Sequence, residues 1–419
     1  MEKINPKVPR FSLAVLMSHP TQFDGPLFLR ISQAGVIDLT VYYLETDKIA
    51  EKVDNELGFS PNWDIAVTEG HRCFSCPQGS IRRLLFLYRE CVAGHKYDLV
   101  IFPGYSTLET TLLALLPHRQ NLGIRLDAAP IYPEPAWKAW CKRRVLRRLF
   151  RRFETFHPVG SLTEQFLEAL EVSRAKMFRF PYAVDNAYLE ERANHFRQQR
   201  ERILSDLGIS SWTFVVLGVL KFVPRENPME LLRGFHLFHQ KSRDSALILV
   251  GAGALEREVE AYIAANKLAG SVHPVGYARY SELPKWYGIS NVFVHPAIRE
   301  CWGVSVNEAM ACGLPVVASR QVGSSYDLIQ DGANGYQYPS GDVKALADCL
   351  TRIASRPDRG AELGECSHRL IKEWDFEATM RSLESALLSI RPEISRCTAS
   401  ASFSAVPEGT PTNQQDRYA

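Results

Sequence analysis

Net charge is almost absent from this 419-residue sequence: 49 lysines and arginines stand against 47 aspartates and glutamates, leaving +2. A balance that close argues against a chain that binds polyanions over its whole surface, and no nucleic-acid partner is expected, though a local basic patch is allowed. Long apolar runs are missing too. Phe11 to Met17 follows the polar MEKINPKVPR and is far shorter than the ~18 residues a membrane span requires. The expectation is a cytoplasmic chain, peripheral at the inner face of the plasma membrane if it meets a membrane at all. Cysteine is sparse. The nine cysteines are an odd number scattered over apparent helices and strands, which excludes a disulfide framework and fits reduced thiols. Cys73 and Cys76 form a C-x-x-C beside His71, between strands. A zinc site needs a second such pair and a redox pair opens a helix, so no metal is expected.

What the sequence does have is regular alternation of apolar runs with helical patterns. In the first half FSLAVLM (11–17), LTVYYL (39–44) and DLVIFP (98–103) read as buried strands. A helix from about Leu27 to Gln33 separates the first two. KMFRFPYAVD (176–185) reads as a strand closing this half. From Thr213 the pattern resumes with TFVVLGV, ALILV, SVHPV, NVFVH and PVVA. The predicted architecture is α/β, two doubly wound Rossmann-like domains. Their bounds are 1–185 and 212–372, with a linker and lead-in helix over 186–211, an amphipathic helix over 373–390 and a disordered tail over 391–419. Gly251-Ala252-Gly253 looks like a dinucleotide fingerprint, but the third glycine position is Glu256 and the unit follows the domain's second strand.

The chain is organised around HPAIRECWGVSVNEAMACGLPVVAS (295–319), which reads as strand, loop, helix, strand. Glu300 and Glu308 are eight positions apart, roughly 80° out of phase on one helix. The economical arrangement puts Glu300 in the loop and Glu308 on the helix, both lining the crevice at the carboxyl end of the sheet. Gly303 permits close backbone approach, and the first-turn amides of Val304 and Ser305 favour an anion such as a pyrophosphate. The stretch RECWGVSVNEAMACGLPVVAS resembles the signature of the family 4 retaining glycosyltransferases of the GT-B fold. The resemblance covers most of residues 11 to 390 and is strongest after 290.

That resemblance implies two domains facing across a cleft, a nucleotide-sugar donor held by the second, a glycan or lipid-linked acceptor held by the first, and a last helix crossing back. It implies no metal and no cofactor beyond the donor substrate. Glu308 would accept from the ribose diol, Glu300 would contact the transferred sugar, and Tyr277 lies where relatives hold the base. LKFVPRENP (220–228) resembles the phosphate loop, with Lys221 as its first cation. The usual glycine is Leu220 and the usual second cation is Glu226, with Arg225 one place earlier, so Lys221 and Arg225 must offset the diphosphate's charge. Glu226 is the feature that favours a rival, a donor-binding protein without turnover; a GT-B sugar-nucleotide epimerase is a third reading.

On the acceptor side, IRLDAAP carries Arg125 and Asp127 where many relatives have a histidine. Asp127 is a candidate to orient an acceptor hydroxyl, and Arg125 to bind phosphate or hold Asp127; an Arg–Asp ion pair at a strand end is the alternative. His19, just after the first strand, is either a cleft residue or structural. KAWCKRRVLRRLFRRF (138–153) set on a helix segregates Val145, Leu146, Leu149, Phe150 and Phe153 from six arginines. Its stripe is expected on the core, its arginine face in water or on anionic lipid headgroups, with Trp137 and Trp140 adjacent.

Overall fold

The computed structural model describes residues 11–45, 56–59, 64–65, 67–132 and 134–394. The expected tail lies largely outside these residues. Six strands form a first sheet: β1 (Phe11–Met17), β2 (Ile37–Tyr43), β3 (Arg72–Ser75), β4 (Leu99–Pro103), β5 (Leu122–Leu126) and β6 (Thr155–Pro158). Six more form a second: β7 (Phe214–Val219), β8 (Ser245–Val250), β9 (Val272–Gly276), β10 (Val292–His295), β11 (Val316–Ser319) and β12 (Gly335–Tyr338). The orders are β3-β2-β1-β4-β5-β6 and β12-β11-β10-β7-β8-β9, which is the same order counted from the first strand of each sheet. Every strand pair is parallel. Strands buried on both faces need continuous apolar runs, which is why β1, β7 and β8 were legible in the sequence. Strand order reverses between β1 and β4 and between β7 and β10, and the loops leaving those strands open a crevice in each sheet.

Several local expectations are corrected. The C-x-x-C stretch is not a loop between strands; Arg72–Ser75 is the edge strand β3 beside β2. The first helix is Asp24–Ala34, starting earlier because Thr21 Oγ1 accepts the Asp24 amide. Residues 176–185 are no strand. The amides of Phe178 and Phe180 bond to Phe156 and Pro158 carbonyls, but the carbonyls of Phe178, Phe180 and Pro181 are taken by the side chains of His157 and Arg125. No ladder can propagate. Residues 186–211 contain two helices, Asn186–Gln198 and Arg200–Asp206, whose Leu189, Ala193, Ile203 and Leu204 are buried in the second half's core.

The last helix, Phe376–Ile390, is capped by Asp375 and crosses to the first half. Its Leu383 and Leu387 are fully buried beside Phe11, Leu13 and Phe28, each such side chain contributing roughly 1.5–3 kcal/mol. The halves also meet through polar contacts. Tyr132 donates to the Gln321 carbonyl at 3.0 Å, and Asp327 accepts from Ser161 N at 2.9 Å and Oγ at 3.1 Å.

The arginine-rich helix is Ala136–Phe150, and its apolar face is narrower than expected. Leu146, Leu149, Phe150 and Phe153 are buried, but Val145 is 65% exposed, as are Trp137 at 67% and Trp140 at 58%. The correction follows from where the helix stops: three core residues at i, i+3 and i+4 anchor it, and Val145 falls outside that stripe. Two arginines are committed locally. Arg152 donates to the Ala114 and Leu116 carbonyls at the end of the helix Leu108–Leu115, and Arg147 pairs with Glu171 at 2.7 Å. Arg143, Arg144, Arg148 and Arg151 are exposed.

Candidate active site

The loop leaving β7 is built on the glycines of the next crossover. A Cβ on Gly251 would lie 1.8 Å from the Leu220 carbonyl oxygen, and one on Gly253 would lie 2.7 Å from that of Phe222. Gly251 and Gly253 therefore serve the close passage of two loops, as their backbone φ of 149° and 151° also requires. Phe222 N donates to Ala252 O and Leu255 N to Phe222 O, which pins the loop on both sides. Glu226 closes it from within, its Oε2 accepting from Lys221 N at 2.6 Å and its Oε1 pairing with Arg225 Nη2 at 2.9 Å. Burial pushes its carboxyl up to about 7 against the pull of Arg225.

Arg225 is the centre of the cluster. It donates from Nη1 to Glu300 Oε2 at 2.8 Å, and from Nε and Nη2 to both oxygens of Glu56 at 2.7 and 2.8 Å. Lys221 Nζ donates to the same Glu56 Oε2 at 2.8 Å. Glu56, from the first half of the chain, is thus gripped by both cations, and the Arg225 bonds above all hold its carboxyl down at about 2. Nothing in the sequence singled it out, because an acidic residue in a polar stretch carries no pattern of its own. The Arg225 carbonyl in turn accepts the Ile298 amide at 2.8 Å, tying the loop after β10 to the loop after β7.

Glu300 lies in that second loop and Glu308 on the helix Val304–Ala311, as the sequence predicts, but the two meet different surroundings. Glu308 is 3% exposed, and among the described residues only Tyr287, at 2.7 Å, bonds to its carboxylate. Burial pushes its carboxyl up to about 7. Gly303 has a different cause from the one expected. At φ 92° a Cβ would lie 2.9 Å from both the His295 ring and Val322, so packing on the protein's own histidine demands glycine there. Val304 and Ser305 are half-buried at the head of their helix. Trp302 is buried, its Nε1 donating to Asn307 Oδ1 at 2.9 Å; this support for the glutamate loop was also unforeseen.

A cavity of about 410 Å³ opens at the carboxyl ends of β7 and β8. Lys221, Glu226 and Tyr277 line it from the second half, His19 and Leu57 from the first. His19 is therefore a cleft residue by position. Tyr277 meets the Phe59 ring edge-on at 5.2 Å. Tyr280 is on the same wall, its hydroxyl pushed well above the usual tyrosine range by burial and then by the charge of Glu308.

A second cavity of about 840 Å³ is lined by Asp127, Tyr132 and Lys142 from the first half and by Arg299 and Cys301, the neighbours of Glu300. Asp127 accepts from Tyr182 Oη at 3.1 Å. Arg125 is not with it. The guanidinium is 7% exposed, pairs with the buried Asp24 at 2.8 Å, donates to the Phe180 and Pro181 carbonyls and lies 4.0 Å from the Phe180 ring centroid. The expectation that Arg125 meets a phosphate or holds Asp127 is corrected: it is a buried ion-pair partner of Asp24.

With this geometry in place, comparison with known proteins is informative. Residues 199–370 match the family described as glycosyl transferases group 1. A GDP-mannose-dependent alpha-(1-6)-phosphatidylinositol monomannoside mannosyltransferase of Mycolicibacterium smegmatis is 28% identical over 317 residues, 73% of this chain and 80% of that protein. The alpha-monoglucosyldiacylglycerol synthase of Acholeplasma laidlawii is 22% identical over 48% of this chain and 49% of its own length. Several curated relatives are spanned over less than half of their length. The crystal structure of Anabaena HepE in complex with UDP superposes with a TM-score of 0.68 at 17% identity, over 90% of this chain and all of that one. Matched residues 199–370 contain Lys221, Arg225, Glu300 and Glu308 together, on the sheet whose loops build the cluster; that part of the chain is similar to the group 1 glycosyl transferases, and the chain has the GT-B fold.

Proposed function

We propose that this chain is a retaining glycosyltransferase that moves a sugar from a nucleotide-sugar donor to a glycan or lipid-linked acceptor. The observation that carries the reading is the convergence of Lys221, Arg225 and Glu300 where strand order reverses between β7 and β10, beside a cavity lined by Tyr277. In this reading the nucleoside occupies that cavity, with Tyr277 near the base and Glu308 behind the wall facing the ribose. Lys221, Arg225 and the amides of Val304 and Ser305 stabilise the diphosphate as charge builds on it. Glu300 contacts the sugar. The acceptor oxygen bonds to the anomeric carbon while the bond to the diphosphate oxygen breaks; the leaving group takes the electron pair and the acceptor's proton.

The acceptor occupies the larger cavity, where Asp127 orients its hydroxyl and Arg299 and Cys301 connect it to the donor side. Glu300 lies between these last two in sequence and bonds to Arg225, so one short segment links both cavities. A lipid-linked acceptor is supported by the exposed Trp137, Trp140 and arginines of the helix Ala136–Phe150, whose Lys142 and Arg143 line the same cavity. The Mycolicibacterium and Acholeplasma relatives are named for lipid substrates or products as well. No helix among the described residues is long and apolar enough to cross a membrane, so contact with a bilayer would be peripheral. The test is calorimetric titration with UDP- and GDP-sugars together with release of nucleoside diphosphate. Binding with slow release that an acceptor accelerates is the expected result; binding without release under any acceptor favours the donor-binding rival, and no binding defeats both.

A further inference from the structure

Three carboxylates surround two cations at the proposed diphosphate position, one more than neutralisation needs. Glu226 comes from the same loop as Lys221 and Arg225 and Glu300 from the loop after β10, and both already pair with Arg225. Glu56 comes from the other half of the chain. It receives a two-pronged grip from Arg225 and a third bond from Lys221, the arrangement by which these side chains hold a phosphate. Its side chain is 36% exposed, so it is not a buried pair that the fold must keep. Its neighbours rest on the same crevice. Leu57 lines the donor cavity, Phe59 meets Tyr277, and Asp64 accepts from Ser281 N at 3.2 Å.

Building on the proposed donor site, we infer that Glu56 is an internal competitor for the diphosphate: its carboxylate fills the anion position between Lys221 and Arg225, and a nucleoside diphosphate binds by displacing it. The exchange replaces one negative charge by two on the same donors, so the incoming group gains what Glu56 gives up. Because the same cations cannot serve both anions, apparent affinity is the intrinsic affinity multiplied by the fraction of molecules in which Glu56 is released. Return of Glu56 after transfer speeds departure of the product.

Titration of the full chain with UDP, GDP and inorganic pyrophosphate, for wild type and Glu56→Gln, tests this. Glu56→Gln keeps the shape and removes the charge, and the dissociation constant for the diphosphates is expected to fall by about tenfold, with uridine and guanosine affinities unchanged. In the wild type, deuterium uptake by the amides of residues 56–59 rises when UDP or GDP is added. Equal or weaker diphosphate affinity in Glu56→Gln, or uptake that falls on ligand addition, overturns the competitor and leaves the donor site standing when wild type binds. Failure of both proteins to bind any of these probes overturns the donor site and the competitor with it.

Discussion

The two sheets share one strand order, yet the charges at their crevices have opposite fates. In the first half the Arg125–Asp24 pair is sealed, 7% and 2% exposed, and its remaining donors go to main-chain carbonyls. In the second half Arg225 is about a third exposed and is shared by three carboxylates at the cleft. The first arrangement holds the Phe180 and Pro181 carbonyls, at the end of the segment that bonds along β6. The second leaves a cation that a stronger anion can claim. A common topology thus supplies two crevices, and only the placement of carboxylates around an arginine separates a sealed pair from a cluster open to the cleft.

The largest effect should come from breaking the sealed pair. Arg125→Met leaves the buried Asp24 without its cation, and a loss of about 3–5 kcal/mol in unfolding free energy is expected. Denaturant titration measures it; the protein that remains folded should bind nucleoside diphosphate as wild type does. If binding falls instead, Arg125 belongs to a ligand site and the contrast between the halves disappears.

Arg225→Met should do the reverse. Melting temperature changes little, because the side chain is partly solvated, while turnover drops by about 10²-fold through loss of charge stabilisation in the transition state. Steady-state kinetics with the donor found by titration would show it. Glu300→Gln is expected to reduce turnover more than donor affinity; equal losses would assign Glu300 to the nucleotide and not the sugar.

Glu308 sharpens the comparison through pH. Its carboxyl is raised to about 7 in the folded chain from an ordinary 4.5. The folded state therefore binds the proton more tightly, and that stabilisation is full below about pH 4.5 and lost as pH rises through 7. Glu308→Gln removes the dependence. Relative to wild type it should gain on the order of 3 kcal/mol between pH 4 and pH 8, as read from urea midpoints at each pH. A pH-independent difference would mean that Glu308 holds its proton no more tightly in the folded chain than in the unfolded one. The smallest effect per residue concerns the surface: Arg144, Arg148 and Arg151 to Glu should weaken salt-sensitive binding to anionic vesicles by roughly 1 kcal/mol per residue. Binding that salt does not affect would point to insertion of Trp137 and Trp140 in place of electrostatic contact.

The sequence by itself determined the α/β alternation and the two sheets, because strands buried on both faces must be written as unbroken apolar runs. It also determined the loop position of Glu300 and the helical position of Glu308, since Gly303, the helix formers after it and Gly313 leave few ways to place them. Partners were another matter. That Arg125 holds Asp24, that Tyr287 bonds to Glu308, and that Glu56 lies between Lys221 and Arg225 join residues 21 to 169 positions apart. Such pairings are set by how sheets and loops pack, and a charged side chain in a polar stretch looks the same in sequence whether it ends in solvent or on an arginine. The glycines show the same division. Their positions were visible, but that Gly303 makes room for His295 and Gly251 for the β7 loop was decided only when the chain folded and brought those atoms within contact.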